Sequence, residues 1–157
     1  MTIFLTCPVL LQAQVRSPAG QSRRGLDIFR LPAFERAVLC VKYFEGWHDA
    51  RHYPYVGYCH RLRAGERYTS AMTRWQADAL LREDLKKFCA LFRRFGKDSL
   101  LLGVLAYNIG PYRLLGNRKL PRSALVRKLE RGNRNIYREY TAYRHYAGKK
   151  HEMLLMH

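Results

Sequence analysis

A single carboxylate, Glu45, lies between Phe44 and Gly46, with Trp47 close behind it. A carboxylic acid enclosed by aromatic rings can act as a general acid, because burial raises the pKa of such a group. Asp49 is a second carboxylate near the same corner. Two neighbouring carboxyl groups, one protonated and one ionised, are what most glycosidases use to cleave a glycosidic bond. The alternative is that Glu45 is a solvated residue at a helix end.

The residues before Glu45 predict a helix that carries it. Phe34, Val38, Val41 and Phe44 recur at spacings of 4, 3 and 3, which places them on one buried helical face. Pro32 suits the start of this helix, and Gly46 its end. Residues 53–60 are rich in Tyr and Gly, so we expect a strand and a turn there. Glu45 then projects from the last helical turn toward a small hairpin.

Three histidines close to this corner raise the alternative of a metal site. His48 and His52 would share a face if the segment between them were helical, and His60 follows shortly after. Gly46 and Pro54 bracket that segment and oppose a helix. We therefore expect solvated or hydrogen-bonded imidazoles, with no metal site and no cofactor.

The overall charge predicts a polyanionic partner. The 157 residues include 29 Lys and Arg against 12 Asp and Glu, which gives a formal charge of +17. Nucleic acid, an acidic cell-wall polymer and an anionic membrane surface all fit this charge. With 48% hydrophobic and 26% charged residues, the composition predicts one globular domain and excludes a disordered chain.

Arginine and tyrosine interleave near the C-terminus in a pattern that suits nucleic-acid binding, since rings can stack on bases and Arg can contact phosphate. The residues concerned are Tyr137, Arg138, Tyr140, Tyr143, Arg144 and Tyr146. However, Ile136, Tyr140, Tyr143 and Ala147 also fit one helical face. Packing therefore explains the rings without a ligand.

The four cysteines contain no C-x-x-C pair, which argues against a zinc ribbon or a thioredoxin-type motif. Cys40 and Cys89 fall in apolar helical patterns, where we expect free thiols. No apolar run approaches the roughly 20 residues that a membrane span requires.

The N-terminal part has a different composition. Residues 1–14 are apolar and resemble the remnant of a secretion signal, although Pro8 interrupts the run and no basic start precedes it. The rest of residues 1–27 contains Ser, Pro, Gly and Arg and predicts a basic linker. We therefore expect one domain over residues 28–157, exported to the periplasm or another extracytoplasmic location.

Local signals predict the remaining helices. Thr73-x-x-Gln76 is a capping box that opens the longest helix, and apolar residues continue at helical spacing to Phe95, so we expect it to end at Gly96. Ser99 is expected to cap a very apolar helix over residues 100–109 that Gly110 ends. Two further helices are predicted over residues 121–129 and 133–146.

Five short motifs, in the right order, resemble those of the phage-type lysozymes, glycoside hydrolase family 24. They are Phe44-Glu45-Gly46, residues 56–60 (Val-Gly-Tyr-Cys-His), residues 105–110 (Leu-Ala-Tyr-Asn-Ile-Gly), residues 123–132 (Ser-Ala-Leu-Val-Arg-Lys-Leu-Glu-Arg-Gly) and Tyr146-Ala147-Gly148. The chain departs from the family in a shorter span between Glu45 and His60. Tyr55 stands where the family has Thr, and Cys59 where it has a turn Gly.

The resemblance implies a mainly α, α+β lysozyme-like fold, in which a helical domain and a small β-hairpin lobe border a substrate cleft. It implies a monomeric N-acetylmuramidase that cleaves the β-1,4 bond between N-acetylmuramic acid and N-acetylglucosamine in peptidoglycan, causing local wall opening or lysis, without requiring nucleic acid. Glu45 matches the catalytic acid, and Asp49, or else His52, with Tyr55 is expected to place or activate water.

The resemblance also assigns supporting residues. Tyr58, His60, Tyr107 and Asn108 are expected to line or brace the cleft, and His60 is expected to pair with Asp84 on the longest helix. The altered Asp and Thr positions leave a rival interpretation, in which the chain is a non-catalytic module that binds cell wall or nucleic acid on a lysozyme scaffold.

Overall fold

A computed structural model of the chain describes residues 27–143. Its helices are α1 (Ala33–Glu45), α2 (Arg74–Leu91), α3 (Ser99–Ile109), α4 (Tyr112–Leu115), α5 (Ala124–Glu130) and α6 (Tyr137–Thr141). Short 3-10 turns span Ile28–Arg30, Ala50–His52 and Arg93–Asp98. Strands β1 (Tyr55–Val56) and β2 (His60–Arg61) form one antiparallel pair. The predicted mainly helical fold with a small hairpin is confirmed.

Helix α1 has the ends that the sequence predicts. Pro32 precedes its first residue, and Gly46, with φ of 67°, follows its last residue, Glu45. A glycine tolerates this left-handed conformation, which stops the helix at that point. Val38 and Val41 on the predicted apolar face are fully buried.

Helix α2 opens with the predicted capping box, since the Thr73 hydroxyl accepts a hydrogen bond from the Gln76 N–H and the Gln76 side chain accepts one from the Thr73 N–H. The predicted end at Gly96 is wrong. The α-helix ends at Leu91 and a 3-10 turn continues to Asp98, with a non-helical backbone at Gly96. Phe92 and Phe95 continue the apolar spacing of α2 because both pack into a hydrophobic core. Apolar periodicity alone cannot distinguish such a turn from a continuing helix.

The β-lobe comprises residues 46–72 and is held by few backbone contacts. Tyr55 pairs with Arg61 and Val56 with His60, while an isolated bridge joins His48 to Gly57. The Gly57 turn packs closely on α2, because a Cβ at this position would lie 2.9 Å from the Ala77 Cβ. The lobe is therefore anchored to α2 at a glycine.

Two hydrophobic cores share helix α3. The first core joins α1, the β-lobe and α2 and contains Val38, Val41, Val56, Tyr58, Met72, Ala77, Leu80, Leu81, Leu85 and Val104. The second core joins α3 to the C-terminal helices and contains Phe92, Leu102, Leu105, Ala106, Ile109, Leu114, Leu125, Val126, Leu129 and Tyr140. Helix α3 lies between them as their common wall.

The C-terminal helices are shorter than predicted within the described residues. Helix α5 begins after Ser123, whose hydroxyl accepts a hydrogen bond from the Val126 N–H, and α4 follows Pro111 without having been predicted. Tyr140 is buried in the second core, and Ile136 and Tyr143 pack against it. Packing thus accounts for these rings, and residues 144–146 of the predicted last helix lie outside the described part.

Cys40, Cys59 and Cys89 are free thiols, as expected for Cys40 and Cys89. Among residues 27–143, no helix has the length and apolar character needed to span a membrane. The predicted signal remnant and linker, residues 1–27, lie outside the described part except for Asp27.

Candidate active site

Glu45 is the last residue of α1 and is half-buried. An ion-pair network fixes the helix that carries it against α2. Lys42 Nζ lies 2.6 Å from Asp78 Oδ1, and Arg82 bridges Asp78 Oδ2 at 2.6 Å and Glu35 Oε1 at 2.6 Å. This network restrains the turn of α1 from which Glu45 projects.

Cys59 lies beside Glu45 at the tip of the hairpin turn. It has φ of 69°, a left-handed conformation that is costly for a residue with a side chain. Burial, followed by the charge of the neighbouring Glu45 carboxylate, raises the pKa of its thiol to about 12. Cys59 therefore stays protonated at neutral pH beside the Glu45 carboxyl.

His48 is a neighbour of Glu45. The sequence pattern suggested only a metal-binding role for this residue. Its N–H donates to the Gly57 carbonyl at 2.8 Å and its carbonyl accepts from the Gly57 N–H at 3.1 Å, which fixes its backbone. Its ring Nδ1 is buried without a hydrogen-bond partner among the described residues. Burial, then His52, lowers the pKa of His48 despite the opposing charge of Glu45. A neutral imidazole therefore adjoins the carboxylate.

Asp49 and His52 form a pair on the other side of His48. Asp49 Oδ1 lies 2.9 Å from His52 Nδ1, and the His48 and His52 ring centroids are 4.8 Å apart. Arg51 also binds Asp49, with 2.7 Å between Nη2 and Oδ2. Hydrogen bonds from Arg51 are the main cause that holds the pKa of Asp49 well below its usual value. Asp49 is thus an ionised carboxylate that already has partners.

Tyr55 lies 6.2 Å from His48, centroid to centroid, and borders a hollow of about 240 Å³ on the β-lobe. Aromatic rings and hydroxyl groups surround this hollow, which Asp49 also reaches. Its lining comprises Asp49, Ala50, Tyr53, Tyr55, Val56, Leu62, Tyr68, Thr69 and Ser70. Glu45 does not line it, so the hollow adjoins Asp49 and Tyr55 rather than the carboxylate at the helix end.

The phage lysozyme family model matches residues 42–157, which is more than half of the chain. The chain belongs to the phage lysozyme family. No curated protein matches it. The match includes Glu45 and the whole β-lobe, and family membership supports a peptidoglycan hydrolase. The predicted family resemblance is therefore confirmed.

In this member of the family, the residues expected to line or brace the cleft are held mostly by internal contacts. Tyr58 is buried, and its ring packs edge-on against Trp47 at 5.6 Å between centroids. The Tyr107 hydroxyl donates to the Tyr58 carbonyl, and the Asn108 amide donates to the Val104 carbonyl at 2.9 Å. These contacts fit a bracing role for Tyr58 and Tyr107.

His60 forms the predicted pair with Asp84. Its ring is 6% exposed, with Nδ1–H donating to Asp84 and Nε2–H to Glu66 at 3.0 Å. Burial opposes a charge on the ring, but the hydrogen bonds that the ring donates to Asp84 and Glu66 outweigh it and raise the pKa of His60. The imidazolium therefore ties β2 to α2 and to the following loop, with neither ring nitrogen left to contact substrate.

Metal ligands do not converge in the part of the chain that the structure describes. No group of three or more His, Cys, Asp or Glu side chains there has the arrangement to hold an ion. His48 and His52 face each other, whereas His60 turns toward Asp84.

Proposed function

We propose that this lysozyme-family protein hydrolyses the β-1,4 bond between N-acetylmuramic acid and N-acetylglucosamine in peptidoglycan, acting outside the cytoplasmic membrane. The observation that carries the proposal is the half-buried Glu45 carboxylate at the end of α1, next to the Cys59 thiol. Family membership supports the substrate class.

Glu45 is the general acid in this mechanism. Its protonated carboxyl donates to the glycosidic oxygen as the bond to the anomeric carbon breaks, so that the leaving sugar departs as an alcohol. The Lys42–Asp78 ion pair restrains the last turn of α1, and the Cys59 turn lies next to the carboxyl. Such positioning lowers the entropic cost of aligning the acid with the bond.

The Asp49–His52 pair is proposed to supply the second group. The low pKa of Asp49 makes it a weak proton acceptor, but the carboxylate can orient His52 through the 2.9 Å contact. In the tautomer whose Nδ1–H donates to Asp49 Oδ1, the His52 Nε2 takes the proton from the attacking water, while Tyr55 borders the water from β1. Attack from the face opposite the leaving group inverts the anomeric centre.

The surroundings suit a saccharide on an anionic polymer. Tyr53, Tyr55 and Tyr68 offer ring faces, and Thr69 and Ser70 offer hydroxyls, around the 240 Å³ hollow next to Asp49. The formal charge of +17 accelerates the encounter with an acidic cell wall, and salt is expected to weaken this attraction.

The test is hydrolysis of purified cell walls, followed by turbidity and by release of reducing sugar. Replacing Glu45 with Gln is expected to lower the rate about a thousand-fold, because general acids contribute roughly a hundred- to ten-thousand-fold. The matched control is Glu83→Gln on the exposed side of α2, which is expected to retain the wild-type rate. Equal activity of Glu45→Gln and wild type would contradict the role of Glu45.

The second group is tested in the same assay by His52→Gln and Asp49→Asn. Both are expected to lower the rate, with His52→Gln the more severe, and the first product observed by NMR is expected to have the α configuration. A β product would contradict the single-displacement mechanism. If the wild type binds cell walls but releases no reducing sugar, a non-catalytic wall-binding module is favoured instead. The observation that supports this alternative is the ion pair between Asp49 and Arg51, which occupies the second carboxylate.

A further inference from the structure

An apolar groove of about 470 Å³ runs along the first half of α1, away from Glu45. The 3-10 turn Ile28–Arg30, α1 and α3 form its walls. Its lining residues are Ile28, Phe29, Ala33, Arg36, Ala37, Cys40, Lys97, Leu100, Leu101 and Val104, with no carboxylate among them. Much of this lining precedes residue 42, where the family match begins.

Cations without partners border this groove. Arg36 and Lys97 line it, while Lys86 and Arg93 line a neighbouring hollow of about 410 Å³ that shares Leu100. Within residues 27–143, none of these four side chains forms an ion pair or a hydrogen bond. By contrast, the carboxylates adjacent in sequence to Arg36 and Lys97 are already occupied, since Glu35 binds Arg82 and Asp98 binds Arg134. The positive charge of this face is therefore uncompensated.

Phe29 stands at the mouth of the groove with 81% of its surface exposed. A large exposed aromatic residue beside an apolar groove and a basic rim is the arrangement with which proteins lie on a bilayer surface. The groove volume is also within the range of sites that hold a small apolar ligand.

Charge complementarity discriminates among the occupants. A dissolved polyanion would neutralise the cations but leave the apolar floor unfilled. The apolar segment near the N-terminus would fill the floor, but residues 1–26 contain three arginines and no Asp or Glu, so they cannot neutralise the rim. A second copy of the chain brings another formal charge of +17. An anionic lipid supplies both the apolar chain and the negative headgroup.

We propose that this groove docks the protein on the surface of an anionic phospholipid bilayer. An acyl chain occupies the floor between α1 and α3, Phe29 enters the interface, and Arg36 and Lys97 contact headgroup phosphates. The docked face is separate from the Glu45 corner, so membrane contact and hydrolysis are independent properties of the molecule.

The experiment measures binding of the full chain to vesicles by sedimentation at about 0.15 M salt, where surface charges are screened within roughly 8 Å. Vesicles of phosphatidylcholine alone are compared with vesicles in which about a third of the lipid is phosphatidylglycerol. We expect binding to the anionic vesicles to be at least ten-fold tighter.

Two groove variants test the location. Ala33→Asp places a carboxylate at the exposed first residue of α1, where an acidic residue suits the helix, and Arg36→Glu/Lys97→Glu reverses the rim charge. Each is expected to weaken binding to anionic vesicles at least ten-fold. The matched controls are Ala124→Asp, at the exposed first residue of α5, and Arg118→Glu/Lys119→Glu, which change the net charge equally and are expected to bind within two-fold of wild type.

Insertion is tested with Phe29→Trp, whose fluorescence is expected to shift to the blue on addition of anionic vesicles. Tyr137→Trp, at a site 73% exposed in the wild type, is the control and is expected not to shift. Groove variants that bind as tightly as wild type, or controls that lose as much, would overturn the proposal. Absence of vesicle binding by the wild type would also overturn it. If Ala33→Asp then has a lowered melting temperature, the N-terminal segment is favoured as the occupant of the groove.

Discussion

The two cores of this protein are stabilised in different ways. The region of the first core, next to the candidate active site, contains a buried imidazole, His60, which is clamped by hydrogen bonds to both Asp84 and Glu66. The second core buries apolar side chains, and the acid at its border, Asp98, pairs with the half-exposed Arg134, whose charge does not change with pH. Near neutral pH, the stability of the first region is therefore expected to depend on pH through His60, whereas the described residues of the second core include no histidine.

The short strands explain why the first region needs such a clamp. β1 and β2 contain two residues each, and an isolated two-stranded hairpin is at best marginally stable in water. The His60–Asp84 hydrogen bond attaches β2 to α2, a helix of 18 residues that is much longer than the strands. The hairpin that carries Tyr55 and Cys59 thus depends on a side-chain contact made outside it.

The largest expected effect is the loss of this clamp. Asp84→Ala is expected to lower the free energy of unfolding by about 4 kcal/mol, because it leaves a buried imidazole without its main partner. Urea unfolding at pH 7 measures the change. Glu83→Ala, with 61% of that side chain exposed, is the neighbouring control and is expected to change stability by less than about 0.5 kcal/mol. An equal effect of the two variants would remove the distinction between the cores.

In the second core, Leu105→Ala is expected to cost about 3 kcal/mol, because it removes a fully buried side chain and leaves a cavity. Unfolding measured at pH 5.5 and at pH 8.5 is expected to give the same cost. A cost that changes with pH would show that the second core also depends on a titrating group.

Local signals predicted several parts of both regions. The ends of α1, the capping box of α2 and Gly110 at the end of α3 are encoded in neighbouring residues, so the sequence was sufficient to place Glu45 at a helix end. The end of α2 and the whole of α4 were missed, because tertiary packing decides both. Phe92 keeps helical spacing while the α-helix stops before it.

The site was predictable only in part for the same reason. The pairing of His60 with Asp84 followed from the family resemblance, and the structure confirms it. The partnerless Nδ1 of His48 and the contact of Cys59 with Glu45 depend on how the β-lobe folds over α1, and no spacing rule reports such contacts. The occupation of Asp49 by Arg51 was likewise not foreseen.

Two glycines with positive φ, one in the β-lobe and one after α5, allow a smaller test of the difference between the two regions. At Gly57, in the β-lobe, an added Cβ would lie 2.9 Å from both the Ala77 Cβ and the Met72 Sδ. Gly57→Ala is therefore expected to cost about 2 to 3 kcal/mol, from backbone strain and overpacking together. Gly132, with φ of 74° and no atom within 4 Å, is the matched control, and Gly132→Ala is expected to cost about 1 kcal/mol. Equal costs in thermal or urea unfolding would mean that close packing of the lobe on α2 is unimportant.

The smallest effect is the pH dependence of His60. Because its pKa is raised in the folded state, its contribution to stability is fully present below about pH 6.5, the ordinary pKa of histidine, and is lost as the pH rises through the folded-state value. The stability difference between wild type and His60→Gln is therefore expected to shrink from pH 6 to pH 9. Urea unfolding across this range measures it, and a difference that grows with pH would contradict the assigned charge.

Helix α3 has a consequence for how the sequence can vary. Val104 belongs to the first core and its direct neighbour Leu105 to the second, so one turn of helix serves two separate interiors. A volume change at either residue displaces a wall that both interiors share. A replacement in this part of α3 therefore has to be compensated by changes in both cores. We expect residues 102–106 to tolerate fewer replacements than the outward face of α2 in a saturation library scored for folding.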